Sequence, residues 1–256
     1  MDASEETTFR KLRRFNGIMG VFHLIQSGLM FALSNDNTWR ITYAYPKFVE
    51  GEGLVPYSSE LGTIQLAPLV ALFLLISAIA HFALATVGYK WYVSKLKKHM
   101  NPARWYEYSV SASLMIVIIA MLTQIEDLGT LLALFTLTAV MNLCGLMMEL
   151  HNQTTERTNW TSYIIGCIAG IVPWIVIAIS LVGASVQSGG QIPDFVIAIY
   201  VSIAILFNLF AINMVLQYKK VWRWKDYLYG ERMYIVLSLV AKSALAWQIF
   251  FGTLQP

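Results

Sequence analysis

The sequence predicts an all-α membrane protein with seven transmembrane helices. Of its 256 residues, 57% are hydrophobic and only 13% are charged, whereas soluble domains carry roughly a quarter charged residues. Seven stretches approach or exceed the roughly 20 mostly apolar residues that cross a bilayer. Lipid must therefore cover much of the surface, and we expect one integral domain over residues 1–256.

The seven predicted spans follow each other with short connections. Their approximate bounds are 15–34, 62–89, 103–125, 128–149, 160–183, 193–218 and 231–253. The third contains Glu107 and the seventh contains Lys242. The segment VGASVQSGGQIPD separates the fifth span from the sixth, because its three glycines and one proline are typical of a loop.

The longest predicted connection, 35–61, follows the first span. TWRITYAY alternates in the manner of a short strand, and FVEGEGLVPY can supply its partner in a small β-hairpin. An irregular polar lid is the alternative. The sequence of this segment is compatible with both the hairpin and the irregular lid.

The distribution of Lys and Arg predicts the orientation, because loops rich in these residues stay cytoplasmic. Fifteen of the eighteen lie before span 1 or around the connections 2–3, 4–5 and 6–7. The opposite side has only Arg40 and Lys47, and the remaining cation is Lys242. We expect a multi-pass protein of the cell membrane with a cytoplasmic N-terminus and an extracellular C-terminus.

Several classes of function receive no support. The charge pattern does not indicate nucleic-acid binding, and no set of nucleophile, base and orienting group indicates an enzyme. The two cysteines, Cys144 and Cys167, lie in apolar stretches without a disulfide or metal-ligand spacing. A zinc site at His23 and His81 would lack a clear third ligand, so we predict no metal.

Lys242 is the main functional candidate, because charged groups at bilayer depth are expensive. It lies about ten residues from either end of its span. One interpretation is a structural ion pair with Glu107 that joins spans 7 and 3. The other is a Schiff-base lysine, since burial disfavours the protonated amine and leaves it nucleophilic toward an aldehyde. Glu107 would then be the nearby anion.

Four more polar residues lie at similar depth. His23 is on span 1, His81 and Ser77 share a face of span 2, and Ser238 is one turn before Lys242. With Lys242 and Glu107 they can form one polar cavity in which the histidines accept a proton. Each histidine could equally be an ordinary polar helix contact.

A conjugated polyene would also need an apolar slot lined by aromatic and sulfur side chains. Residues at helical spacing, or beside a helix-interrupting proline, that could line it are Ser111, Met115, Thr138, Met141, Gly145, Trp174 and Phe207. Such stripes are also common in ordinary packing. Their importance depends on Lys242.

At these positions the chain resembles heliorhodopsins over nearly its whole length. The similar segments are FNGIMGVFHLIQ, RWYEYSVSASLMIVIIA, GCIAGIVPW and GERMYIVLSLVAKSALAWQIFFGTL. The resemblance implies a rhodopsin-like bundle with an inverted topology and all-trans retinal bound covalently to Lys242. It also implies Glu107 as counterion, Ser77 and Ser238 near the Schiff base, and His23 and His81 in the inner cavity.

The same resemblance implies light sensing through photoisomerisation toward 13-cis and a slow photocycle, with signal transduction to an unknown partner. A light-driven proton transporter or channel is the alternative. The resemblance further implies a homodimer that uses the region of spans 4 and 5 and the first extracellular loop. GCIAG in span 5 lets helices approach closely, either between copies or inside one bundle.

Overall fold

The structure is a computed structural model that describes residues 3–187, 189–190 and 192–255. The elements in chain order are helix α1 Ala3–Leu33, strands β1 Thr38–Val49 and β2 Gly53–Gln65, and helices α2 Leu66–Ala85, α3 Tyr89–Leu96, α4 Pro102–Leu122, α5 Leu128–His151, α6 Thr161–Gln187, α7 Asp194–Tyr218 and α8 Tyr227–Ile249. A 3₁₀ turn covers Trp222–Lys225, and α8 continues as a π-helical turn over Phe250–Leu254.

Within the described residues, seven helices are long and apolar enough to cross a membrane: α1, α2 and α4–α8. The predicted all-α membrane fold with seven spans is therefore confirmed. The chain reverses between α4 and α5 over the short segment 123–127. Ser188 and Gln191, in the predicted loop before α7, lie outside the described residues.

The second span differs from its predicted bounds of 62–89. Residues 62–65 belong to β2, and α2 ends at Ala85. After a short turn, a separate short helix, α3, begins at Tyr89. The sequence hid both boundaries because the strand end GTIQ and the turn TVG contain no charged residue, so the charge-free stretch continues through both. The fifth span, predicted to end at 183, continues to Gln187.

The predicted β-hairpin is present and longer than expected. Strands β1 and β2 pair antiparallel from Thr38↔Gln65 to Val49↔Gly53, with a bulge between Ile41 and Thr42. Gly51 and Gly53 have φ values of 87° and 80°, which glycine adopts readily, so EGEG closes the turn. The irregular lid is excluded.

We refer to the two ends of the bundle as the hairpin end and the basic end. The hairpin end comprises residues 34–65, the α4–α5 connection 123–127 and the α6–α7 connection. The basic end comprises the start of α1 and residues 86–101, 152–160 and 219–226. The largest apolar core cluster lies toward the hairpin end and includes Phe73, Ile119 and Ile249.

The small residues of GCIAG pack inside the bundle. A Cβ on Gly166 would lie 2.9 Å from Cys144 Cβ and 3.3 Å from the Met141 carbonyl oxygen of α5, and one on Gly170 would strike the Met141 side chain. These glycines therefore allow the close approach of α5 and α6 within one chain. Any contact between copies in this region must use other faces of the two helices.

Candidate functional site

Lys242 and Glu107 form a buried ion pair between α8 and α4. Lys242 Nζ lies 2.7 Å from Glu107 Oε1 and donates to Ser77 Oγ of α2 at 2.6 Å. Ser77 Oγ in turn donates to Glu107 Oε1 at 2.7 Å. The side chains of Lys242 and Glu107 are only 4% and 9% exposed, so each charge is compensated by the other rather than by water.

A polar cavity of about 30 Å³ adjoins this ion pair on the side of the basic end. Its lining includes Asn16, Ser77, His81, Glu107 and Ser238. A cavity of this size can hold about two water molecules. Ser238 Oγ is buried and makes no hydrogen bond within the described chain, so a polar group is available beside Lys242.

The two predicted histidines lie against each other beside this cavity. Their rings are stacked with centroids 5.5 Å apart, and His81 Nδ1 lies 2.8 Å from Asn16 Oδ1. His23 is fully buried, and neither of its ring nitrogens has a hydrogen-bond partner in the described chain. Both rings are within the bundle near the ion pair, and His23 has unused donor and acceptor capacity.

An apolar slot begins at Lys242. A cavity of about 40 Å³ is lined by Lys242, Ser238 and Met115 among others. It shares Met141, Asn142, Phe207 and Phe210 with a larger cavity of about 280 Å³ between α5, α6 and α7. The two cavities are therefore adjacent, with these four side chains in the walls of both, and we refer to them together as the slot.

Most of the predicted pocket residues line this slot, and two do not. Met115 faces the part next to Lys242, Gly145 and Trp174 face the larger part, and Met141 and Phe207 face both. Trp174 and Phe207 make an edge-to-face contact at 5.5 Å. Ser111 and Thr138 are buried but line neither cavity.

Four aromatic residues of the slot were not predicted from the sequence: Trp105, Tyr108, Tyr163 and Phe210. Tyr108 lies with its ring 5.2 Å from Lys242 Nζ, and Phe210 contacts the Tyr108 ring edge-on at 5.3 Å. Tyr108 follows Glu107 directly in the sequence, and Phe210 lies one turn after Phe207. The 3.6-residue spacing from Phe207 was the signal that could have identified Phe210.

A second buried ionic cluster lies between the site and the basic end. The Arg104 guanidinium donates to Glu231 Oε2 at 2.5 Å and to Glu149 Oε1. Asn101 donates its backbone N–H to Glu149 Oε2 and its side-chain amide to Glu231 Oε1, both at 2.7 Å. Tyr92 Oη donates to Glu231 Oε1 at 2.8 Å. All four carboxylate oxygens thus accept hydrogen bonds.

This cluster contains two carboxylates and one guanidinium, each at most 5% exposed. The N-terminus of α4, which Asn101 caps, adds partial positive charge beside them. Burial, followed by the Glu231 carboxylate, raises the pKa of Tyr92 well above its ordinary value, so its hydroxyl remains a donor. The cluster therefore joins α3, α4, α5 and α8 between Lys242 and the basic end.

The charge pattern of the sequence places Arg104 among the loop cations, but in the structure its side chain is buried. Arg104, Glu149 and Glu231 lie at the ends of their spans, where charged residues are ordinary. Nothing in their spacing relates them, because they belong to three different helices. The available signal was that all three ends lie on the same side of the membrane.

These features define a class: multi-pass helical membrane proteins in which a buried lysine, paired with a carboxylate, faces an apolar cavity. Within that class the chain belongs to the heliorhodopsin family, whose model, described as Heliorhodopsin, matches residues 12–254. None of the curated proteins compared with the chain matches it. Family membership makes this protein a light-sensing rhodopsin of the membrane with a retinal chromophore.

Proposed function

We propose that retinal is bound as a Schiff base to Lys242, with Glu107 as its counterion, and that light triggers signalling rather than ion transport. The observation that carries this proposal is the buried Lys242–Glu107 ion pair at the start of an apolar slot. Retinal supplies light absorption and isomerisation, here from all-trans toward 13-cis. The chain supplies the amine, the counterion and the cavity walls.

The slot fits a polyene because its polar groups lie at one end and its other walls are apolar. Its polar end contains an amine and the unpartnered Ser238 hydroxyl, whereas Met115, Met141, Phe207 and Trp174 make the rest apolar. A ligand with one polar end and a long hydrocarbon body matches this gradient. Ser77 would hold the Glu107 carboxylate in place through its hydrogen bond. Ser111 and Thr138 are buried but do not line the slot, and we propose that they pack behind the residues that do.

His23 and His81 are the proposed acceptors of the proton that Lys242 would lose after illumination. Their support is position: His81 lines the same polar cavity as Glu107, and His23 stacks on it with free ring nitrogens. In a His23→Phe or His81→Phe variant we expect slower formation of the deprotonated state, by about tenfold, because the proton loses an acceptor. Flash photolysis measures this rate, and an unchanged rate of formation in both variants would argue against the assignment.

Signalling is favoured over transport by the distribution of polar groups. Toward the hairpin end, Glu126, Asp127 and Asp194 lie only at helix ends, and the interior is the apolar core cluster. A pump needs proton groups on both sides of the chromophore. Light-induced pH changes or currents in intact cells would favour the transporter or channel instead.

The proposed orientation has the basic end in the cytoplasm. It is supported by the concentration of Lys and Arg at that end, although Arg104 no longer counts as a loop residue. Accessibility labelling of single cysteines at positions 47 and 90 in intact cells tests it, with label expected only at position 47. Any signalling partner would then meet the basic end.

A homodimer formed by the α5–α6 region and the hairpin is also proposed. Its support is exposed apolar surface: Phe48 and Leu54 on the hairpin are both 71% exposed, and Ile168 on α6 is 62% exposed. Cross-linking through Phe48→Cys should trap a dimer in membranes. Val87→Cys, 94% exposed at the other end, is the control.

The central experiment adds all-trans retinal to the expressed protein and records the visible spectrum. The parent should form a visible band and Lys242→Ala should not, whereas Lys90→Ala, an exposed lysine, should keep it. Circular dichroism establishes that each variant is helical. Absence of the band in the parent, or its persistence in a folded Lys242→Ala variant, would refute attachment at Lys242.

The Glu107→Gln variant tests the counterion assignment. Removing the negative charge beside the proposed cation should shift the absorption strongly to the red, because Glu107 is the carboxylate that contacts Lys242. Glu149→Gln is the matched control, since that carboxylate pairs with Arg104 instead. Equal shifts in the two variants would contradict the counterion assignment.

A further inference from the structure

A further cavity, of about 320 Å³, lies at the basic end and plays no part in the proposed retinal chemistry. It is bounded by the segment after α3, the ends of α5 and α7, and the 219–226 connection. Three lysines, Lys98, Lys220 and Lys225, and the histidine His99 are among the residues that line it. No Asp or Glu among the described residues lines it.

The three lysines lack a counter-charge. None of them takes part in the ion pairs found in the described part of the chain. Like charges gathered around one concavity repel each other and raise the local positive potential. Such an arrangement is stabilised by an anion that binds among them.

The walls between the lysines are fixed and polar. Gln217 donates to the Tyr227 carbonyl oxygen at 3.0 Å, and Trp224 Nε1 donates to Asn213 Oδ1 at 2.6 Å. The Tyr227 ring stacks on His99 with centroids 4.9 Å apart. The cavity is therefore a shaped depression rather than a flat patch of mobile lysines.

Left-handed residues end two of the helices around this cavity. His99, Lys220 and Trp222 have φ values of 53°, 52° and 48°. After α3 and α7, the backbone N–H groups of Met100 and Val221 donate back to the Lys95 and Leu216 carbonyl oxygens, which is a common way for a helix to end. His99 and Lys220, which line the cavity, thus lie at these two helix ends.

We propose that this cavity binds a phosphate-bearing anion. Lysine binds phosphate as a point charge, and basic pockets between helices at the cytoplasmic side accept phosphorylated head groups. The phosphate could belong to a soluble organic phosphate or to the head group of an anionic lipid, and both present the same chemistry to the lysines. The proposal depends only on the fold and holds whether or not retinal is attached at Lys242.

The test uses the full chain in nanodiscs of pure phosphatidylcholine, with inorganic pyrophosphate as the probe. Isothermal titration calorimetry should show saturable binding. Lys220→Gln combined with Lys225→Gln should weaken it by about tenfold or more, because two charge-assisted contacts are lost. Lys11→Gln combined with Lys90→Gln removes the same charge at the same end, away from the cavity, and should change the affinity by less than about twofold.

A second series replaces part of the phosphatidylcholine with phosphatidylglycerol. If a lipid head group is the occupant, the apparent affinity for pyrophosphate should fall in the parent and the lipid should remain bound in native mass spectrometry. If a soluble phosphate is the occupant, the affinity should stay constant. No saturable pyrophosphate binding in phosphatidylcholine, or equal losses in the two double variants, would overturn the proposal.

Discussion

The half of the bundle next to the basic end buries charge, whereas the half next to the hairpin buries hydrocarbon. Arg104, Glu149 and Glu231 are at most 5% exposed in the first. Phe73, Ile119 and Ile249 are at most 1% exposed in the second. Lys242 lies where the two meet. The apolar half is held mainly by close packing, while the polar half contains groups that can gain, lose or exchange partners and protons.

The largest stability effect should come from the polar half. Arg104→Gln leaves the Glu149 and Glu231 carboxylates buried without their cation, which should cost about 3–5 kcal/mol in the free energy of unfolding. Denaturant unfolding of the detergent-solubilised protein measures it. Arg10→Gln is the control, because that arginine pairs with Glu6 in solvent and should contribute less than about 1 kcal/mol.

A rescue variant makes the result specific. Adding Glu149→Gln and Glu231→Gln to Arg104→Gln removes the unpaired charges and should recover part of the lost stability. If the triple variant is as unstable as Arg104→Gln alone, packing rather than charge accounts for the loss.

An intermediate effect is expected in the apolar half. Ile249→Ala should cost about 2 kcal/mol, because Ile249 is fully buried in the core cluster and its truncation leaves a cavity. The absorption maximum should stay unchanged, since Ile249 lies two turns beyond Lys242 and lines neither part of the slot. Ile205→Ala, on the exposed face of α7, should leave stability unchanged in detergent. If Ile249→Ala changed the absorption maximum but not the free energy of unfolding, the proposed difference between the two halves would be wrong.

The smallest effect belongs to the connection between α4 and α5. Asp127 caps α5 by accepting from the Thr130 backbone N–H at 2.7 Å, so Asp127→Ala should cost about 1 kcal/mol. Hydrogen bonds from Thr130 lower the pKa of Asp127 below 3.8. The stabilisation is therefore complete at neutral pH and is lost as the pH falls through this lowered pKa.

Thermal unfolding of the parent and the Asp127→Ala variant at several pH values measures this difference. The two melting temperatures should converge in acid and separate again at neutral pH. Asp194→Ala is the control, because Pro193 rather than Asp194 occupies the N-cap of α7. A difference that does not depend on pH would show that the carboxylate charge is not responsible.

Sequence alone was sufficient for the features that depend on composition. The spans follow from apolar length, and Lys242 became the main functional candidate because a charge in the middle of a span is rare. The proximity of Glu107 followed because few other charges lie inside the spans. The hairpin was predicted from alternation in TWRITYAY, but its second strand extends through SSELGTIQ, where alternation is weak.

The remaining features depend on helix packing, which one sequence does not specify. Arg104 meets Glu149 and Glu231 only because α4, α5 and α8 bring their ends together. The cavity with three lysines likewise combines residues from distant connections. The sequence shows each of these charges as an ordinary loop or helix-end residue, so neither arrangement could be predicted from spacing.

The attachment of α8 at the hairpin end has a mechanical consequence. Asn35 donates its backbone N–H to the Leu254 carbonyl oxygen at 2.8 Å and its side-chain amide to that of Thr253 at 2.9 Å. The helix that carries Lys242 is thus fastened just beyond its C-terminal end. Near its other end, Glu231 accepts hydrogen bonds from Arg104, Asn101 and Tyr92, so α8 is held on both sides of Lys242. A rotation begun at Lys242 therefore loads hydrogen bonds at both ends of the helix, and neither end can move without breaking or exchanging some of them.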